Sequence, residues 1–124
     1  MFQEKPFGDR AFHGDEYLLR LVDYLMPQCI YFVETGVHRG DTFAYVAHHY
    51  SYRFAVGCEP NEGYLREAEA KVEGLINVET FPMTSQEFLP YIHEDNPCDR
   101  KRLYWLDAHG HGFDWPLAFE VKFI

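Results

Sequence analysis

The run Tyr31-Phe32-Val33-Glu34-Thr35-Gly36-Val37-His38-Arg39-Gly40-Asp41-Thr42 decides the fold. A short apolar segment reaches a carboxylate, two glycines four apart follow, and a helical pattern begins at Asp41. That order describes a buried strand feeding a tight turn into a helix N-terminus. Glycine lacks a Cβ, so it takes left-handed backbone angles cheaply and lets a ligand approach the main chain. The first amides of a helix have no intrahelical partner. A turn with these properties suits the floor of a nucleotide or nucleoside pocket.

Outward from this turn the same theme recurs. Upstream, Asp15 caps a helix predicted from Glu16 to Met26, with Leu18, Leu19, Leu21, Val22, Leu25 and Met26 at helical spacing and Pro27 ending it. Residues 1 to 14, rich in turn formers (Pro6, Gly8, Gly14), are expected to wrap over the surface as an N-terminal extension, leaving 15–124 as the domain. The first strand covers Ile30 to Glu34, and the helix after the turn covers Asp41 to Tyr50, with Phe43, Val46 and Ala47 inward. His48 and His49, adjacent on that helix, are expected to be exposed. Phe54 to Cys58 is a second apolar strand, again ending on an acid, Glu59. Asn61 then caps a helix from Glu62 to Glu73, which Gly74 stops.

A third strand is predicted over Ile76 to Phe81. Thr84-Ser85-Gln86-Glu87 has the form of a capping box before Phe88, Leu89, Tyr91 and Ile92, and Glu94 to Asp99 reads as a polar loop. Leu103 to Leu106 is a fourth strand ending at Asp107, with Tyr104 and Trp105 as core residues. Asp114 starts a last helix, with Pro116 in its first turn and Trp115 as a wall near the site; Phe123-Ile124 ends the sequence in mid-pattern. Strands alternating with helices give a parallel sheet with right-handed crossovers, an α/β sandwich. Ligands of such sheets bind outside the carboxyl ends of the strands. The first, second and fourth strands each deliver an acid or a glycine to that edge.

Composition narrows the function classes. With 47% hydrophobic and 18% aromatic residues, 124 residues can build one core and no more than one domain. Eleven basic against twenty acidic side chains, a net charge of −9, argue against nucleic acid, whose phosphates demand clustered Lys and Arg. Cys29, Cys58 and Cys98 are odd in number and widely spaced, as reduced thiols of a cytoplasmic protein are. No apolar run approaches the roughly 20 residues that span a bilayer, so no membrane partner is expected.

At the strand ends, Glu34-x-Gly36-x-x-x-Gly40 lacks the third glycine of a Gly-x-Gly-x-x-Gly dinucleotide turn. An acid two residues before the first glycine also repels a pyrophosphate and suits a ligand with a cationic centre. The competing reading is a plain tight turn with Glu34 capping amides. Glu59, 23 residues beyond Gly36, is placed to accept both hydroxyls of a ribose; otherwise it is a surface acid favoured by a helix dipole.

Val33-Glu34-Thr35-Gly36, then Gly40-Asp41-Thr42, Cys58-Glu59-Pro60 and Leu106-Asp107-Ala108-His109, together resemble the class I S-adenosylmethionine-dependent methyltransferases. The resemblance covers nearly the whole chain from Asp15. It implies that S-adenosylmethionine is the cofactor. Glu34, Thr35, Gly36 and Gly40 would hold its methionine part, Glu59 its ribose, and Met83 and Thr84 would flank its adenine. His38 stands where the family's middle glycine usually sits. Asp107-Ala108-His109-Gly110-His111 resembles the strand-four end of small-molecule O-methyltransferases, where an acid and a histidine face the substrate. On that basis Asp107 organises cofactor or substrate, and His109 is the candidate base for a substrate hydroxyl.

The family fold has seven strands in the order 3-2-1-4-5-7-6. This chain has material for four, in the order 3-2-1-4: a Rossmann-like three-layer sandwich truncated relative to the complete fold. As the N-terminal portion of a longer protein it would expose its fourth strand as an edge for self-association. The expected activity is methyl transfer to a small-molecule or sugar hydroxyl. The alternatives are an NAD(P)-dependent oxidoreductase or epimerase, and a non-catalytic fragment of a methyltransferase fold. Asp107, His109 and His111 could instead gather a divalent metal, although no second cluster completes such a site.

Overall fold

A computed structural model describes residues 7–95, 101–108 and 117–124. In chain order the elements are α1 (Glu16–Leu25), β1 (Tyr31–Thr35), α2 (Asp41–His49), β2 (Phe54–Cys58), α3 (Glu62–Lys71), β3 (Val78–Phe81), α4 (Ser85–Asp95), β4 (Arg102–Leu106) and α5 (Leu117–Phe123). The four strands are parallel and ordered β3-β2-β1-β4, the order expected. β4 is an edge of this sheet.

Side chains alternate across a strand, so the register sorts the strand residues into two faces. Glu34 lies beside Gly57 and Trp105, while Thr35 lies beside Cys58 and Leu106 on the opposite face. On the Glu34 face, Phe32 and Ala55 pack with Val22, Phe43, Val46 and Leu65 of α1, α2 and α3. On the other face, Val33 and Cys58 pack with Phe88 and Leu89 of α4. α5 packs against α4. The three layers leave the carboxyl ends of the strands as one shared edge.

Local chemistry explains the helix starts. Asp15 accepts the amides of Tyr17 and Leu18 at 2.9 and 3.1 Å. Asn61 accepts the amide of Tyr64 at 3.0 Å. Thr84 and Glu87 form the reciprocal box, with Glu87 Oε1 accepting the Thr84 hydroxyl at 3.0 Å and amide at 3.3 Å. α1 and α2 are tied at one end by Asp23, whose carboxylate accepts the hydroxyls of both Tyr45 and Tyr50. Burial and this acid together push the Tyr50 phenol well up from its ordinary value.

Several expectations change. The N-terminal extension does not simply wrap the surface: Ala11 and Phe12 are buried, and the Phe12 ring meets Phe32, Tyr45 and Trp105 edge-on. Burying a phenylalanine stabilises by about 1.5–3 kcal/mol, enough to pin a short strap. Leu21 is 51% exposed, because the inward stripe of α1 is narrower than its apolar content. β3 begins at Val78, and Ile76 is 99% exposed. α4 continues through Asp95, where a loop from Glu94 was expected. His48 and His49 are half-buried: a ring nitrogen of His48 lies 2.6 Å from the Lys71 carbonyl, and His49 stacks on Tyr45. The expected start of the last helix at Asp114, together with Cys98, Pro116 and Trp115, lies outside the described residues.

Candidate functional site

The turn after β1 carries three left-handed residues, Gly36, His38 and Gly40, at φ of +69°, +55° and +89°. Both glycines are also required by close approach. A Cβ on Gly36 would lie 2.7 Å from the Asp107 carbonyl oxygen, and one on Gly40 would lie 2.5 Å from the Ala68 Cβ of α3. Gly36 therefore lets the end of β4 close in, and Gly40 lets α3 pack on the start of α2. His38 adopts the glycine-like angle although a side chain disfavours it. Two contacts hold it there: its amide donates to Glu59 Oε1 at 2.9 Å, and its ring packs on Tyr64 with centroids 4.2 Å apart.

Glu59 is 4% exposed, and its second oxygen accepts the Asn61 amide at 2.9 Å. A carboxylate has about four acceptor sites, so two remain beyond these amides. Glu34, from the last turn of the β1 pleat, is 2% exposed, and its Oε1 has no hydrogen-bond partner. Burial first, then the neighbouring carboxylates Asp107 and Glu59, push its carboxyl well above the usual range. The adjacent Cys58 thiol is pushed up to about 12, chiefly by burial, against a hydrogen bond from the Gly36 amide.

Glu34, Gly40 and Asp107 line one open cavity with Arg10, His13, His38 and Thr42. The N-terminal strap forms one wall. The Phe12 amide donates to Thr42 Oγ1 at 2.7 Å, and His13 Nε2 sits 3.2 Å from Asp107 Oδ2. Phe12, His13 and Gly14 are consecutively left-handed, a costly conformation held by the burial of Phe12.

The other sequence-predicted residues stand apart from this wall. Gly36 and Glu59 join it indirectly, through the Asp107 main chain and the His38 amide. Thr35 points to the opposite sheet face, buried and with its hydroxyl unpartnered. Met83 packs on the Val33–Phe88 cluster, and Thr84 is engaged in its helix cap. His109 and His111 lie outside the described residues, and among the described residues no group of three ligating side chains could hold a metal. Sequence reasoning missed Arg10 and His13. The one available signal was Ala11-Phe12, an apolar pair inside an otherwise polar leader.

No protein-family model matches this sequence, and no curated protein does. Solved structures do. An O-methyltransferase from Bacillus cereus in complex with SAH aligns with a TM-score of 0.67 at 19% identity, covering 96% of this chain and 55% of that one. A Klebsiella pneumoniae protein assigned as an O-methyltransferase aligns at 0.64 and 19% identity, over 82% of this chain and 46% of the other. A chain of a fibrillarin/Nop5p complex aligns at 0.55 and 11% identity, over 77% and 44%. This chain spans about half the length of the solved structures it matches. At these identities the likeness concerns the fold: the chain has the class I S-adenosylmethionine-dependent methyltransferase fold, as the strand-end motifs implied.

Proposed function

We propose that this chain is the cofactor-binding half of an S-adenosylmethionine-dependent methyltransferase that acts on a small-molecule or sugar hydroxyl. One observation carries the reading: a buried carboxylate, Glu34, lines the cavity with an oxygen left without a partner. A buried polar atom without a partner costs about 1–3 kcal/mol, and an ammonium is the group that would satisfy it. The methionine tail of the cofactor supplies one. Glu59, with acceptor sites to spare, takes the ribose hydroxyls, and Gly36 and Gly40 shape the bend beneath the tail. Met83 and Thr84 flank the adenine.

The bound cofactor supplies an electrophilic methyl group on a sulfonium sulfur. The protein's part is to hold the acceptor oxygen in line with that methyl group, since a well-aligned, pre-assembled pair of reactants lowers such a barrier. Asp107 orients the ligands at the end of β4, and His109 takes the proton of the acceptor hydroxyl. The second reading, a nicotinamide dinucleotide enzyme, suffers from the same Glu34: a buried acid beside the turn repels a pyrophosphate. The buried, unpaired thiols Cys29 and Cys58 favour a cytoplasmic setting, and no described helix is long and apolar enough to cross a membrane.

Calorimetry with S-adenosylhomocysteine and with NAD tests the reading. Saturable binding of the first and none of the second is the expected result. NAD binding alone would transfer the chain to the oxidoreductase class, and binding of neither would leave only a structural role for the glycine turn.

A further inference from the structure

The charges around the cavity pair off almost completely. Asp107 is met by His13 at 3.2 Å, Asp41 by Lys71 at 3.0 Å, and Arg39 by Glu67 at 3.7 Å. Two charged side chains on the lining remain. Glu34, buried in β1, has an unsatisfied oxygen and no ion-pair partner among the described residues. Arg10, exposed on the strap, has no hydrogen bond or ion pair from its guanidinium among the described residues. One leftover is acidic and sits in the floor; the other is basic and sits at the rim.

We infer that Arg10 is a specificity-determining residue that grips the carboxylate of the ligand's amino-acid tail while Glu34 takes its ammonium. The inference rests on the proposed cofactor reading and adds to it a residue from outside the strand-end motifs. An α-amino acid carries both charges within a few ångströms, so a cavity with one unpaired carboxyl group, able to ionise against an ammonium, and one free cation matches it better than it matches a neutral or wholly anionic group. Guanidinium is the fitting donor, because its planar fork binds a carboxylate through two parallel hydrogen bonds. The strap is held in place for this task. Phe12 is plugged into the core, its amide bonds Thr42, and His13 bonds Asp107, so Arg10 projects from a fixed backbone. Pre-positioning of that kind lowers the ordering cost of binding.

The test is calorimetry on the 124-residue chain with two probes, S-adenosylhomocysteine and 5′-methylthioadenosine, which keeps the nucleoside and thioether but lacks the amino acid. Arg10→Gln is expected to weaken S-adenosylhomocysteine by on the order of 10- to 100-fold, the loss typical of a charge-assisted pair, and to leave 5′-methylthioadenosine unchanged. Arg10→Lys should recover part of the loss, and because Arg10 is exposed the melting temperature should not move. An unchanged affinity for S-adenosylhomocysteine, or an equal loss for both probes, overturns the inference while the cofactor reading stands. Failure of the unsubstituted chain to bind either probe overturns the cofactor reading, and the inference with it.

Discussion

The amide of His38 donates to Glu59 Oε1 at 2.9 Å, across 21 positions of sequence. The turn after β1 and the end of β2 are thereby locked together, and the residue that closes the lock occupies a backbone angle glycine would take at no cost. A single carboxylate thus orders the turn and, on the proposed reading, holds the ribose. Its loss should show in stability as well as in binding.

Glu59→Ala strips the acceptor from the His38 and Asn61 amides. A destabilisation of about 1–3 kcal/mol is expected from urea unfolding, since two part-buried hydrogen bonds to a charged acceptor are lost. Binding of S-adenosylhomocysteine should weaken at least about tenfold in the same variant. Unaltered unfolding would show that the lock contributes nothing.

Glu34 gives a pH-dependent signature. Its carboxyl is raised by burial and by Asp107 and Glu59, so folding favours the protonated form. The stability it contributes is present below the ordinary carboxyl pKa and is lost as pH rises through the raised value. Glu34→Gln, a permanent mimic of the neutral acid, should therefore be more stable than the parent at neutral pH, with the gap closing toward pH 4. The same variant should lose S-adenosylhomocysteine binding, and parent affinity should rise with pH as the carboxylate forms. Parallel stability curves for the two proteins would refute the assignment.

His38 poses opposing terms. Relief of the left-handed angle favours His38→Gly by roughly 1 kcal/mol, and loss of the ring contact with Tyr64 offsets part of that. The net change should be small. His38→Val keeps a Cβ, adds branching and drops the ring, so it should cost more than about 1 kcal/mol. Thermal melts rank the three proteins, and a valine variant as stable as the parent would remove the argument for strain.

Among the described residues, β4 leaves one row of backbone groups without a neighbouring strand in this sheet. We propose that it promotes self-association, so sedimentation velocity should show a mass that grows with concentration. A monomer over a hundredfold concentration range would count against it.

The strand-end features were legible because they are local. Strand, acid, glycine and helix cap follow one another within a dozen residues, and each has a physical reason to follow the last. The same locality recovered the Asn61 and Thr84 caps, whereas the strand order followed from the resemblance to the methyltransferase family. What escaped was assembled over distance. The depth at which Phe12 sits depends on Phe32, Tyr45 and Trp105, which no spacing rule connects to it. The polarity of the cavity likewise depends on residues 10, 34 and 107 meeting at one edge. Leu21 and Ile76 failed for the opposite reason: an apolar residue within a pattern need not find a partner, and these two face solvent.

Asp23 receives two phenol hydroxyls, from Tyr45 and Tyr50, far along α2 from the glycine turn. The Tyr45 ring also bears on Phe12, so the aspartate braces the strap at second hand. Damage at this remote clasp would loosen the ligand's doorway without touching a single atom that meets the ligand. A screen for loss of binding should accordingly return substitutions at position 23 beside those in the cleft, and melting curves would tell the two kinds apart.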